Sequence, residues 1–283
     1  MKKPAGPLLA ACLAAAFLVL NTPGPHASAL AARLQTARNF SDEKIIGIVG
    51  AWGVLPTQDH TQPEIPQGVR TLLDRYQALY VGSSMDKKVY LTFDEGYEKG
   101  YTPGILDILQ KHDVPAAFFI TGHYLKKHPD LVKRMVAEGH TVGNHTMTHP
   151  SLRGLGTGQI EAELNGVNDA FTALTGQSMH YLRPPRGEYD ENSLATARRL
   201  GYRTVFWSLA MADWLPLPGG PNESRTTVKN RLHNGALILL HAVSEDNAAA
   251  LDQILQDIKD AGYSFGSLDQ LAAGSGAAPA GTS

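Results

Sequence analysis

The segment His145-Thr146-Met147-Thr148-His149 sets two imidazoles four residues apart. If it turns helically, both rings share a face and can meet one metal ion. Two surface histidines beside a turn closed by Pro150 would give the same string, so the pair gains meaning only with a carboxylate beside it. Asp94-Glu95 supplies carboxylates. Successive strand residues point to opposite sides, but a turn at Gly96 would let both face one site. One would then bind metal while the other takes a proton from water; a solvated acidic turn is the plainer alternative. Such an ion acidifies water near neutral pH and polarises an amide carbonyl, the two requirements of amide hydrolysis.

Hydrolysis of an amide also needs an acid for the leaving nitrogen. His241 suits it by type, with an ordinary pKa of about 6.5, and Asp213 could hold its ring and favour the charged form. A histidine satisfied by the core is the competing account. Arg183-Pro184-Pro185-Arg186-Gly187 is a stiff turn, its two prolines lacking backbone donors. That rigidity suits a cleft wall presenting Arg183 inward, although a plain surface loop would read alike.

These residues share a place in the pattern of elements. Apolar runs at Val89 to Phe93, Ala116 to Ile120, Thr141 to Asn144, Tyr181 to Arg183, Thr204 to Trp207 and Ala236 to His241 read as strands. Helical patterns alternate with them: Gly104 to His112, Pro129 to Glu138, Gln159 to Leu174, Asn192 to Leu200 and Asn247 to Ala261. Alternation at this spacing predicts βα units around a parallel sheet. Six or seven units predict one α/β domain, an incomplete (β/α) barrel. Asp94, His145, Arg183, Asp213 and His241 each fall at or just after a strand, on the face where such folds carry their active sites. Five polar clusters on one face weigh more than any one of them.

With these residues collected, the chain resembles the polysaccharide deacetylases of carbohydrate esterase family 4, the NodB-homology fold, over about residues 87 to 270. Thr92-Phe93-Asp94-Glu95-Gly96 resembles the first family motif, which implies that Asp94 is the catalytic base and that the next position binds metal. That position is Glu95 here and aspartate in the family. The resemblance implies that His145 and His149 are metal ligands, that Arg183 braces Asp94, and that the backbone N–H at Arg186 binds the oxyanion. Asp213-Trp214 matches the fourth motif, with Asp213 tuning the histidine and Trp214 on the groove wall. Leu239-Leu240-His241 matches the fifth, making His241 the catalytic acid. Leu239 and Tyr97 complete the expected substrate contacts. The implied fold is a distorted (β/α) barrel. The implied cofactor is a divalent ion, with zinc expected and cobalt or another divalent ion as the alternatives.

Phe93 to Thr102 (FDEGYEKGYT), Tyr181 to Gly187 (YLRPPRG), Val205 to Ser208 (VFWS), Leu239 to Asn247 (LLHAVSEDN) and the upstream Ala51-Trp52-Gly53 resemble the family's branch of delta-lactam-biosynthetic de-N-acetylases. The expected substrate is then N-acetylmuramic acid in peptidoglycan, on the route to muramic delta-lactam in spore cortex. Muramic acid carries a lactyl carboxylate, for which a cation offering two hydrogen bonds is the natural partner; Arg186 is the expected one. An N-acetylglucosamine deacetylase of peptidoglycan or chitin, and a non-catalytic glycan-binding module, are the alternatives. The intact acid–base set argues against the module.

Composition agrees with an ordinary globular protein, since 43% of residues are hydrophobic and 18% charged. A net charge of -2 gives no sign of nucleic-acid binding, which usually needs a basic face. The one cysteine, Cys12, excludes an internal disulfide framework. Lys2 and Lys3, the apolar run Leu8 to Leu20 and the small residues Ala27-Ser28-Ala29 form the pattern of a secretory signal peptide, residues 1–29. The apolar run is short of the roughly 20 residues a bilayer span requires, so no membrane span is expected after cleavage. The chain is thus expected to be exported to the cell envelope as a monomer acting on peptidoglycan strands. Residues 30–86 read as a lead-in packed on the barrel, 87–272 as the deacetylase domain, and 273–283 as a disordered tail.

Overall fold

A computed structural model of the chain describes residues 50–55, 57 and 59–274. The expected signal peptide lies outside them, as do residues 275–283 of the expected tail.

The element order is α1 (Gln67–Arg75), β1 (Lys88–Glu95), α2 (Thr102–His112), β2 (Ala116–Ile120), α3 (Gly122–Lys127), α4 (Pro129–Ala137), β3 (Thr141–Asn144) and α5 (Thr157–Thr175). There follow β4 (Tyr181–Leu182), a 3-10 turn (Pro185–Gly187), α6 (Glu191–Arg199), β5 (Arg203–Thr204), α7 (Gly220–Arg231), β6 (Leu237–His241), α8 (Glu245–Asp260), β7 (Ser264–Phe265) and α9 (Leu268–Gly274). The strands form one parallel sheet in the order β5-β4-β3-β2-β1-β6, and β7 pairs with the start of β1. Past β5 the chain reaches back to β6 through an isolated Leu209–Ile238 bridge. The sheet therefore curls into the incomplete (β/α) barrel that the βα alternation predicts.

Strand alternation separates two apolar layers. Val89, Leu91 and Phe93 face outward, into the core shared with Ile105, Leu106 and Leu109 of α2. Tyr90, Ala117, Phe119, Tyr181, Val205 and Leu237 fill the interior, where Leu268, Leu271 and Ala272 of α9 join them. On β1 the interior series continues from Tyr90 through Thr92 to Asp94. The register then sets Thr92 opposite Leu239 and Asp94 opposite His241. A polar pair thus crowns the apolar interior at the carboxyl ends of two adjacent strands.

Upstream, a third apolar cluster joins Trp52, Leu73 and Tyr80 to Tyr189 and Phe206. The Trp52 and Phe206 rings stack at 4.9 Å. Elements α3 and α7 were not apparent from the sequence: α3 is one short turn and a half, and α7 has a polar sequence with only Ser224 and Val228 buried. The last helix runs through Gly274, so the two residues assigned to the start of the tail are helical.

Candidate active site

Asp94 is the centre of the site. Its Oδ1 accepts from Arg183 Nη1 at 2.8 Å, and its Oδ2 lies 3.6 Å from His145 Nε2. Burial alone would raise its pKa, but the charge of Arg183, helped by His145 and His241, holds it below the usual carboxylate value. Arg183 is wholly buried in the barrel interior. Its guanidinium also donates to Thr92 Oγ1 at 2.9 Å and to the Phe206 carbonyl at 3.1 Å, and it lies 4.2 Å from the centre of the Phe119 ring. A planar five-donor fork can meet all these partners at once, which a lysine cannot.

His145 and His149 come together with ring centroids 4.9 Å apart. The route is not the helical turn that the spacing suggested. Thr146 and His149 take left-handed backbone angles, φ 70° and 62°. That irregular turn is fixed by Gly122 N–H on the Thr146 carbonyl, by Met147 N–H on the Glu163 carbonyl, and by His149 N–H on Thr146 Oγ1. His145 Nδ1 donates to the Arg183 carbonyl at 2.7 Å, which directs Nε2 toward Asp94. Burial pushes the His145 pKa down to about 4, and burial with the nearby Arg186 charge lowers that of His149. Both rings are neutral at neutral pH, the form that ligates metal.

Glu95 does not join them. Alternation persists to the end of β1, so its side chain follows Phe93 outward beneath α2. Its Oε1 accepts from Thr102 Oγ1 at 3.2 Å, and its Oε2 is buried without a hydrogen-bond partner among the described residues. Burial first, then Glu98, raises its pKa well above the usual range. Held by Thr102 on the far side of the strand, this carboxyl points away from the histidine pair. Among the described residues no group of three His, Cys, Asp or Glu side chains is placed to hold a metal. The residues that could hold a divalent ion are His145 and His149, with Nδ1 of His145 tied to a carbonyl as ligating histidines usually are.

His241 stands beside Asp94, in register with it on the adjacent strand. Its Nδ1 meets Asp213 Oδ1 at 2.7 Å, and its backbone N–H meets Asp213 Oδ2 at 3.0 Å. Burial would lower its pKa, but the hydrogen bond and charge of Asp213, with Asp94 behind, leave it raised. The Trp214 ring, half exposed, lies edge-on to His241 at 5.3 Å. Leu239 sits one interior layer below, 4% exposed. Tyr97 is exposed, with the Lys99 ammonium 5.7 Å from its ring centre. Arg186 adopts a left-handed φ of 56° and projects into solvent, where Glu188 Oε2 takes its Nη2 at 3.1 Å.

Residues that the motif reading gave no role also build the site. Thr92 accepts from Arg183 and donates to the Ile238 carbonyl at 2.7 Å. It lies two residues before Asp94, so period-two alternation was its signal. Asn247 donates to Asp213 Oδ2 and to the His241 carbonyl. Its signal was its place three residues after Ser244, at the start of a helix.

Residues 82–205 match the family model described as polysaccharide deacetylase. The peptidoglycan-N-acetylmuramic acid deacetylase PdaA of Bacillus subtilis is 46% identical over 78% of this chain and 84% of its own. The solved structure of Bacillus subtilis PdaA, a family 4 carbohydrate esterase, superposes with a TM-score of 0.75 at 44% identity, covering 78% of this chain and 95% of that one. A peptidoglycan-N-acetylglucosamine deacetylase of Bacillus cereus is 32% identical over 70% of this chain and 73% of its own.

Proposed function

Since the chain belongs to the polysaccharide deacetylases of carbohydrate esterase family 4, we propose that it removes the N-acetyl group from N-acetylmuramic acid in peptidoglycan. The observation that carries the catalytic reading is the in-register pair Asp94 and His241, Asp94 hydrogen-bonded to Arg183 and His241 to Asp213. Asp94, ionised beside Arg183, takes a proton from the attacking water. His241, protonated on Asp213, gives a proton to the leaving nitrogen. A binding module needs neither group.

His145 and His149 would hold a divalent ion, zinc being the expected one. Bound there, it would supply Lewis-acid polarisation of the amide carbonyl and acidify water. Arg183 orients Asp94 toward the same place. Trp214 offers an apolar wall beside His241, suited to a sugar face.

Muramic selectivity rests on the strength of the resemblance and on Arg186. Its guanidinium is exposed near His149, the charge of which it influences. Glu188 holds the fork in place, and a lactyl carboxylate would compete for the same donors. Deacetylation would leave a free amine near that carboxylate, poised for delta-lactam closure. Export to the cell wall accords with the leader-like residues 1–29; among the described residues no helix is long and apolar enough to cross a membrane.

Mass spectrometry of peptidoglycan incubated with zinc-loaded enzyme tests the proposal. Acetyl loss from muramic residues is expected. Loss from glucosamine residues alone would overturn the muramic assignment, and release of no acetate with any divalent ion would overturn deacetylation. In the same assay Arg186→Ala is expected to lose preference for muramic over glucosamine substrates, by about 10-fold or more.

A further inference from the structure

Asp213 is buried, 1% exposed, and everything it does for His241 depends on how its carboxylate is turned. The carboxylate receives three N–H groups. His241 supplies two, from its ring to Oδ1 and from its backbone to Oδ2. The third comes from the side-chain amide of Asn247, which donates to Oδ2 and also to the His241 carbonyl at 3.2 Å.

The orientation of that amide is not open to choice. Its two partners on one side are acceptors, so the NH2 group must face them. Its Oδ1 then faces α7, where Ser224 Oγ donates at 2.7 Å. Ser224 and Asn247 are both buried, at 0% and 1% exposure. The helix itself is fixed over the end of β6: Ser244 caps α8, and its Oγ accepts from the Asn247 backbone N–H at 3.3 Å. Two helices therefore converge on one carboxylate through one amide.

We propose that Asn247 is a positioning residue for the catalytic acid: anchored by Ser224, its amide turns the Asp213 carboxylate so that Oδ1 receives the His241 ring. The proposal rests on the deacetylase reading and extends it to residues on α7 and α8 that touch neither substrate nor metal. It gives a reason for a buried asparagine and a buried serine in two otherwise ordinary surface helices. It also separates a donor requirement from mere packing, because aspartate has the shape of asparagine without the NH2.

The test compares Asn247→Ala, Asn247→Asp and Ser224→Ala in the full-length zinc-loaded enzyme, assayed below the melting temperature of each. Asn247→Ala is expected to lower kcat about 10-fold with KM within about twofold, as when a residue that orients a working side chain is removed. Asn247→Asp, the isostere, is expected to fall further, since a second carboxylate would face Asp213. Ser224→Ala, which leaves the amide in place but unanchored, is expected to lose about threefold. Proton NMR gives a readout independent of turnover: the low-field His241 Nδ1–H resonance is expected to move upfield or broaden in all three. Retention of more activity by Asn247→Asp than by Asn247→Ala, or wild-type kcat together with an unmoved resonance in Asn247→Ala and Ser224→Ala, would overturn the proposal. An inactive wild-type enzyme would instead count against the deacetylase reading, and the resonance would still judge the role of Asn247.

Discussion

Burial acts on Asp94 and His241 in opposite senses, and in both it is the largest influence on the proton. Alone it would leave a protonated carboxyl and a neutral imidazole, the wrong states for the proposed base and acid. Arg183 reverses it for Asp94, and Asp213 reverses it for His241. The raised His241 value means that its proton is kept to higher pH than usual, and with His241 as the proposed acid activity is expected to fall as pH rises through that value. The lowered Asp94 value means that the proposed base stays ionised to lower pH than usual, and activity is expected to fall as pH drops through it. Asp213→Asn removes the charge that raises His241. The alkaline limb of kcat/KM is expected to move to lower pH and kcat to fall by about 10² or more, as a pH–rate profile would record; an unmoved limb would remove Asp213 from the role. Arg183→Met strands a buried carboxylate. A loss of about 3–5 kcal/mol is expected by denaturant titration, and an Asp94→Asn partner substitution should recover part of it, since the two residues couple directly.

At the scale of elements, the site depends on where strands stop and how the chain turns into them. The β6 strand delivers His241 only because Gly235 makes the preceding turn, with φ 72° and its carbonyl accepting Gly82 N–H at 2.7 Å. A Cβ there would stand 2.5 Å from the Gly82 carbonyl carbon, which is backbone and cannot swing aside. Gly235→Ala is expected to cost about 1–3 kcal/mol. For a domain of this size that lowers Tm by about 2–4 °C per kcal/mol; calorimetry showing an unchanged Tm would deny the turn its importance. The histidine turn after β3 makes the same point in a different way. Its left-handed residues are threonine and histidine, not glycine, and their strain is balanced by a hydrogen bond from α3 and another to α5.

At the scale of the whole molecule, segments far apart in sequence brace one loop. Trp52 Nε1 donates to the Trp207 carbonyl at 2.8 Å, and its backbone N–H meets the Gly187 carbonyl at 2.8 Å. The upstream segment thus buttresses the turn that carries Arg183 and Arg186. Trp52→Ala is expected to destabilise by about 3–5 kcal/mol and also to lower kcat/KM, because the loop loses its backing. Thermal melts and kinetics together would check this; a loss of stability with intact kcat/KM would confine Trp52 to packing.

Much of this was legible in the sequence, because strand ends, strand alternation and helix periodicity are local. Asp94, His145, Arg183, Asp213 and His241 could be placed at one face of a parallel sheet from apolar runs alone, and the resemblance supplied the roles proposed for them. What remained open was whatever depends on register and on approach from elsewhere in the chain. Adjacent residues at a strand end can diverge or converge, and only the tertiary structure showed that the strand runs on through Glu95, sending it outward to Thr102 and away from the histidines. The His145–His149 spacing allowed a helix, and only contacts from α3 and α5 made it a strained turn. Asn247 and Ser224 carry no chemical signature in sequence; they matter because α7 and α8 bring them, buried, to the carboxylate of Asp213. Local pattern determined which residues stood at the site, and tertiary packing decided which way each side chain turned, since orientation is set by neighbours that the sequence does not place next to it.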